Sequence, residues 1–327
     1  MEYRRLQMSK GGSFLLSLPK EWVKANGLEG GSVLRLVEGE GGLLKIKAEE
    51  VAESEKGITA VIREPEGLER QISANYLFGA DTIVIDLGKR MTPATREVVK
   101  TAIHKLIGLE IVEEEASSIT VQCLLQPTSM PIKSALKRAY TLAANMHKEA
   151  ELALLHGDNE LAISVDRRDD EVDRLYFLIV RQLRLALRNA SVSEKLGIRP
   201  SECLDLRMAA KYVETIADYA GAVASMVPKL NREELDRDIM EALLALSAVA
   251  YKIHDRAAQA LFRQDVKLSE SVLMEDTDLS KALVAVNELL MSKQPRIAAL
   301  LESIAIYFYQ IGTHGVDLAE LVSGATI

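Results

Sequence analysis

Cysteines are scarce in this chain of 327 residues, and no apolar run in it is long enough to cross a bilayer. The two cysteines, Cys123 and Cys203, lie far apart and lack the spacing of metal ligands, so we expect two reduced thiols and no disulfide. No cationic leader precedes an apolar stretch at the N-terminus. These absences predict a soluble cytoplasmic protein without membrane insertion.

Aromatic residues are also few, at 5% of the chain, whereas 48% of the residues are hydrophobic. This balance favours helices that pack through Ala, Leu, Ile and Val. The length allows two or three domains, each with its own core.

Positive charge is concentrated at the start of the chain. Residues 1–48 hold eight Lys or Arg and five acids, a net charge of +3, which leaves −11 for the rest of a chain whose net charge is −8. An overall acidic protein does not coat nucleic acid along its whole length, but a basic N-terminal segment can contact it.

The pattern of residues 1–48 predicts four short strands around one helix. The strands are YRRLQMS, FLLSL, VLRLVE and LLKIKA, and the helix is PKEWVKAN, which begins at a proline and ends at Gly27. A unit this small buries little apolar surface by itself, so we expect it to need a partner chain.

An acidic linker, AEEVAESEK (48–56), separates this unit from residues 57–127, where strand and helix patterns alternate. Two βα units and two final strands predict a small α+β domain. No residues in it have catalytic spacing, and His104 is interpreted as a surface or packing residue.

From residue 129 onward the pattern is helical, and part of it is repeated. Residues 147–169 align without a gap on residues 254–276, which predicts two tandem antiparallel three-helix bundles, over 129–228 and 233–323 of a domain covering 129–327. The predicted helices are 130–156, 158–189, 200–227, 235–263, 265–291 and 295–322. Nine positions are identical at an offset of 107: His147/His254, Ala150/Ala257, Ala153/Ala260, Leu154/Leu261, Asp158/Asp265, Leu161/Leu268, Ser164/Ser271, Val165/Val272 and Asp169/Asp276.

Two acid pairs in the first bundle are candidate metal ligands. Asp169 and Asp173 are four residues apart on the second helix, and Glu214 and Asp218 are four apart on the third. Side chains at this spacing share a helix face, and two such pairs can form an oxygen-rich cation site. The alternative is an ordinary solvated face, with the first pair neutralised by nearby arginines (Arg167, Arg168 and Arg174).

The second copy keeps one of these four acids. Asp276 persists, but the other equivalent positions are Ser280, Tyr309 and Thr313. We therefore predict one metal site, in the first bundle. His147 and His254 occur in both copies, which indicates packing, and His314 alone is weak evidence for a ligand.

These residues resemble the PhoU family of phosphate-uptake regulators, built from two repeated three-helix bundles. The segment KYVETIADYAGAVA matches the family's third-helix motif, with Glu214 and Asp218 at the acidic positions, and DDEVD matches its second-helix motif, with Asp169 and Asp173. The resemblance implies a multinuclear site for divalent or trivalent ions (iron, zinc, manganese, magnesium or nickel). It also implies contact with phosphate ABC transporters or signalling proteins.

The segment GGSFLLSLPKEWVKANGLEGGSVLRL resembles the SpoVT/AbrB swapped-hairpin domain. That resemblance implies a β-barrel formed by a homodimer through residues 1–48, and DNA binding by the basic residues of the head. Ser13 departs from relatives that carry Arg there, so a module that only dimerises stays an alternative. The implied DNA-binding residues are Arg4, Arg5, Lys10, Lys20 and Lys24.

Together the two resemblances are typical of archaeal phosphate-uptake regulators and predict a non-enzymatic regulator. One alternative is an adaptor that acts through protein contacts without DNA. A metal-dependent phosphohydrolase is disfavoured, because no base, nucleophile or glycine-rich phosphate loop accompanies the acids.

Overall fold

Residues 3–39, 42–48, 57–230 and 236–323 are described by the computed structural model. The chain divides into two compact units, Met1–Lys56 and Gly57–Ile327. The predicted linker over 48–56 lies, except for its first residue, outside the described residues. The start of the second predicted bundle, at 233–235, also lies outside them.

The first unit, which we call the head, contains one short helix and two hairpins. Strands β1 (Gln7–Met8) and β2 (Phe14–Leu15) pair antiparallel, as do β3 (Leu34–Gly39) and β4 (Leu43–Ala48), and α1 spans Lys20–Ala25. The predicted strands and helix are confirmed, although β1 and β2 are shorter than the sequence pattern suggested. Within one chain, the described strands form two separate sheets and no closed barrel.

Residues 57–127 form the predicted α+β segment. Its elements are β5 (Thr59–Ile62), α2 (Leu68–Leu77), β6 (Thr82–Asp86), α3 (Pro93–His104), β7 (Leu109–Glu114) and β8 (Ser118–Cys123). The strand order is β5-β6-β8-β7, with β5 and β6 parallel and the other neighbours antiparallel. Helix α3 has a favourable N-terminus. The Thr92 hydroxyl caps it by accepting from the Thr95 amide at 3.1 Å, and Pro93 occupies the first helical position.

The rest of the chain is helical. Its helices are α4 (Ile132–His156), α5 (Asn159–Arg188), α6 (Ala190–Leu196), α7 (Glu202–Met226), α8 (Arg237–Arg263), α9 (Val266–Leu273), α10 (Asp276–Leu290) and α11 (Pro295–Ser323). The long helix predicted over 265–291 is wrong, because the chain breaks at Met274 and Glu275 between α9 and α10. The short helix α6 was not predicted.

The duplication extends to the turns between helices. Asp158 caps α5 by accepting from the Leu161 amide at 3.0 Å, and Asp265 caps α9 by the same bond to Leu268. Each cap follows a residue in the left-handed conformation, Gly157 (φ 65°) in the first copy and Gln264 (φ 54°) in the second. The repeat therefore fixes where each second helix begins.

The predicted boundary between 57–127 and 129–327 does not separate two compact units. Each segment has its own hydrophobic core, but both belong to one unit, Gly57–Ile327. The buried Arg181 of α5 connects them, since its guanidinium donates to the carbonyls of Tyr76 and Ala80 at 2.7 and 2.8 Å. In the described part of the chain, no helix is both long and apolar enough to cross a membrane.

Candidate metal centre

The acids predicted to bind metal lie on α5 and α7, the second and third helices of the first bundle. Asp173, Glu214 and Asp218 each place one carboxylate oxygen in a group whose atoms all lie within 4.8 Å of one another. The apolar residues next to Asp173 and Glu214 in the sequence are buried: Val172 is 0% exposed and Val213 is 1% exposed. The bundle therefore brings together three of the four predicted residues from two helices.

The fourth predicted residue, Asp169, lies one turn before Asp173 on α5. Its Oδ1 atom is buried and has no hydrogen-bond partner. The carboxylates of Asp173 and Glu214 act on it electrostatically. An unpaired carboxylate oxygen beside three other acids is costly unless a proton or a cation compensates it.

The electrostatics of the cluster reflect this cost. Burial, followed by repulsion from neighbouring carboxylates, raises the pKa of Asp169 to about 7 and that of Asp218 to about 7. The same two causes raise the pKa of Asp173 to about 6, against an opposing effect of Lys211 and Lys105. The cluster thus holds protons at pH values where ordinary aspartates are ionised, and a bound cation would displace them.

Lys211 is a counter-ion of the cluster that the sequence patterns above did not predict. The ammonium of Lys211 contacts the carboxylate of Glu214 and lies 3.9 Å from Asp218 Oδ2. Lys211 precedes Glu214 by three residues on the same helix, and this spacing could have predicted the ion pair. Arg168, considered as a neutraliser of the first acid pair, instead pairs with Glu149 of α4.

The second bundle lacks an equivalent cluster among its described residues. The Thr313 hydroxyl donates to the backbone carbonyl of Tyr309 at 3.1 Å, and Asp276 occupies the first turn of α10. In the described chain, the first bundle is the one place where three or more His, Cys, Asp or Glu ligand atoms come this close. The predicted asymmetry between the copies is therefore present in the fold.

No histidine belongs to the group of closely spaced acids among the described residues. His147 and His254 are fully buried and hydrogen-bonded to each other, which agrees with a packing role, and His104 is exposed on α3. His314 bonds Asp317 at 2.9 Å through Nδ1 and stacks between Tyr212 and Tyr219.

The predicted DNA-binding residues all have exposed side chains on the head. Three lie on or beside the β1–β2 hairpin and two on α1; they are Arg4, Arg5, Lys10, Lys20 and Lys24. No head residue whose side-chain burial the structure describes is buried, and large apolar side chains are exposed there too, including Met8 (72%) and Phe14 (67%).

Two protein families match separate parts of this chain. Residues 136–227 match the PhoU domain, and residues 7–52 match the family described as antidote-toxin recognition MazE, bacterial antitoxin. The first bundle is therefore similar to the PhoU domain. The PhoU match covers α4 to α7, which is the bundle that holds the acid cluster.

Solved PhoU structures share the fold of the helical body. PhoU from Pseudomonas aeruginosa is 22% identical with a TM-score of 0.52, and the match covers 58% of this chain and 93% of that one. The phosphate transport system regulatory protein PhoU from Streptococcus pneumoniae is 14% identical with a TM-score of 0.50, covering 58% and 91%. A search of curated proteins finds no match. The predicted PhoU resemblance is confirmed, and the head is confirmed as a MazE/AbrB-like domain.

Proposed function

We propose that this protein is a non-enzymatic cytoplasmic regulator of phosphate uptake whose PhoU domain binds metal and whose head dimerises and binds DNA. The acid cluster of the first bundle carries the proposal, because it is a charged site built inside a PhoU fold. A similar solved protein is named as a phosphate transport system regulator. By that likeness, the helical body would dock on phosphate ABC transporter or signalling proteins.

The donor set suits a metal ion. Asp169, Asp173, Glu214 and Asp218 offer only carboxylate oxygens, which favour hard cations such as magnesium, manganese or iron over zinc or nickel. The unpaired Oδ1 of Asp169 gains a partner when a cation binds. Lys211 and Thr215 both contact Oε2 of Glu214, so they restrict the orientation of that carboxylate.

Metal content tests this assignment. Elemental analysis of the purified wild type should find bound metal that the Asp169→Ala/Asp218→Ala double variant lacks. Asp276→Ala is the matched control, because it removes the equivalent acid of the second copy, and it should keep the metal of the wild type. Equal metal content in the wild type and the double variant would exclude the site.

DNA binding by the head is the second part of the proposal. Exposed Arg4, Arg5 and Lys24 can contact phosphates, and each such contact releases counterions, so affinity should fall steeply with salt. Changing these three residues to Ala should weaken duplex binding and flatten its salt dependence. Lys45→Ala, an exposed change on β4, serves as the control. Wild-type protein that binds no duplex while still binding transporter components would support the adaptor alternative.

A further inference from the structure

A chain of hydrogen bonds crosses the contact between α4 and α8, the first helices of the two bundles. Its central link joins His147 Nδ1 to His254 Nε2 at 3.0 Å, and both imidazoles are fully buried. On one side it reaches a half-buried aspartate, and on the other a half-buried glutamate. The order of side chains is Asp255, Tyr140, His254, His147, Ser247 and Glu151.

The inner four groups repeat the sequence duplication. His147 and His254 are equivalent at the offset of 107, and Tyr140 and Ser247 are equivalent at the same offset. Tyr140 Oη lies 3.2 Å from His254 Nδ1, while Ser247 Oγ lies 2.9 Å from His147 Nε2. Each copy therefore supplies one hydroxyl and one imidazole, and each hydroxyl bonds the imidazole of the other copy.

The two ends do not follow the duplication. Asp255 Oδ1 lies 3.1 Å from the Tyr140 hydroxyl and its Oδ2 accepts from Gln259 at 2.8 Å. Glu151 contacts the Ser247 hydroxyl at the other end. The equivalents of these acids are Lys148 and Ala258, so the two carboxylates lie outside the repeated part of the chain of hydrogen bonds.

This chain of hydrogen bonds lacks one proton when both of its carboxyl groups are ionised. Its five hydrogen bonds need five protons. Two hydroxyls and two neutral imidazoles supply four, and an ionised carboxylate only accepts. One contact must then join two lone pairs, and inside a dry core such an unmade bond is costly.

The fifth proton has few places to reside. An imidazolium would be a fully buried cation, and burial lowers the pKa of His147 to about 3 and holds the pKa of His254 well below its ordinary value. Asp255 accepts at its second oxygen from the Gln259 amide, and this additional donor favours the ionised form of Asp255 over that of Glu151. Glu151, half-buried at the other end, can carry the proton and leave both imidazoles neutral.

Other groups face the chain without completing it. Lys148 of α4 lies over the ring of Tyr251 of α8 at 4.3 Å, and its charge disfavours protonation of either histidine. Phe308 of α11 stacks on His147 with ring centroids 5.4 Å apart. Gly315 lets the backbone of α11 approach His254 closely. Lys148 also acts electrostatically on Asp255 and Glu151. These surroundings therefore disfavour a cation on either histidine.

We infer that this chain of hydrogen bonds is a proton-binding site at the junction of the two bundles. In it Glu151 donates to Ser247, and each following group donates to the next one as far as Asp255. In this arrangement both histidines carry their proton on Nδ1. Loss of the fifth proton breaks one buried link between α4 and α8. The site is separate from the acid cluster and does not depend on the proposed metal.

Glu151→Gln tests the site, because the amide supplies a donor that does not titrate. By this proposal, the folded wild type keeps the fifth proton at pH values where the unfolded chain has released it. Its folding equilibrium should therefore fall relative to the variant as pH rises, by about tenfold per pH unit, until the folded chain has lost the proton. Both proteins are compared with chelator present, so the acid cluster contributes equally.

Glu149→Gln is the control for this measurement. It removes another acid of α4, one that pairs with Arg168, and it should show no advantage that grows with pH. A constant difference between the wild type and Glu151→Gln across the pH range would overturn the proposal.

The wild type alone supplies a second measurement if the variants fold poorly. Nitrogen NMR of labelled histidine should show Nδ1 protonated on both His147 and His254 at low pH, with the pattern changing when the proton is lost. Protons on opposite ring nitrogens of the two residues throughout the pH range would overturn the assigned direction and the proton count.

Discussion

Closely spaced and partly buried carboxylates make the acid cluster a source of instability in the metal-free protein. The pKa of Asp169 is raised to about 7, far above its value of about 3.9 in an unfolded chain. A raised folded pKa contributes stability below the unfolded value, and this stability is lost as pH rises toward 7. Asp169→Asn should therefore stabilise the metal-free protein at pH 8, by about 1 kcal/mol after allowing for partial exposure.

Urea unfolding at two pH values checks this expectation. The gain of Asp169→Asn should disappear at about pH 4, where the wild-type aspartate is already protonated in the folded and half-protonated in the unfolded chain. Asp276→Asn, at the equivalent position of the second copy, should give no gain at either pH. A variant less stable than the wild type at pH 8 would contradict the electrostatic account.

Arg181 is the residue on which the contact between α5 and the α+β segment depends most. It is 4% exposed, donates to the Tyr76 and Ala80 carbonyls, and lies 3.2 Å from Asp81 Oδ1. Arg181→Met should reduce the free energy of unfolding by about 3 kcal/mol, because it removes the guanidinium donor to the Ala80 carbonyl and one of the donors to the Tyr76 carbonyl. Chemical denaturation measures the loss, with Arg184→Met as control. Arg184 also belongs to α5, and its guanidinium carbon lies 4.5 Å from the centre of the Phe78 ring. The Arg184→Met variant should lose under about 1 kcal/mol of stability.

At the scale of helices and strands, most of the architecture follows from sequence pattern. Caps at Asp158 and Asp265, the proline at α3 and the alternation of strands all lie where local chemistry requires them. The break between α9 and α10 was not predictable, because the buried apolar residues Val272, Leu279 and Val286 keep a spacing of seven residues across it. Periodicity reports which face a helix buries and does not report a local change in its axis.

The candidate site was predictable for a different reason. Spacing places Asp169 with Asp173 on one helix and Glu214 with Asp218 on another, and the bundle topology brings the two faces together. The partners of charged side chains were less predictable. Arg168 bonds Glu149 across helices, a pairing that depends on the rotation of α4 against α5, which local sequence does not encode.

Three helical glycines give an element-scale prediction about packing. A Cβ atom on Gly315 would lie 2.8 Å from backbone atoms of His254, whereas one on Gly221 of α7 would meet nothing within 4 Å. Gly315→Ala should thus destabilise the protein by about 1–3 kcal/mol through overpacking of α11 against α8. Gly221→Ala should stabilise it by about 0.5–1 kcal/mol through helix propensity.

Thermal or chemical unfolding distinguishes these glycines, and Gly312 provides an intermediate case. A Cβ atom there would lie 2.6 Å from the side chain of Leu279, which can change rotamer, so Gly312→Ala should cost less than Gly315→Ala. Equal effects at Gly315 and Gly221 would show that α8 and α11 are not packed as closely as described.

At the scale of the whole molecule, the two units differ in how they can be stable. The unit over 57–327 has two hydrophobic cores of its own, whereas no head residue whose side-chain burial the structure describes is buried. Stability of the larger unit can therefore be intrinsic to one chain. The head has to obtain its apolar contacts elsewhere, which is the physical reason to expect dimerisation there and not through the bundles.

The head should accordingly set the oligomeric state of the full-length chain. Phe14 of β2 is 67% exposed and Leu36 of β3 is 60% exposed, so a second copy can bury both. Sedimentation should show a dimer for the wild type and a shift toward monomer for Phe14→Asp, because the charge would be buried without a partner. Phe78→Asp is the control, since Phe78 is 53% exposed but belongs to the larger unit, and it should stay dimeric. A wild-type monomer, or a dimer that Phe14→Asp leaves unchanged, would contradict dimerisation through the head.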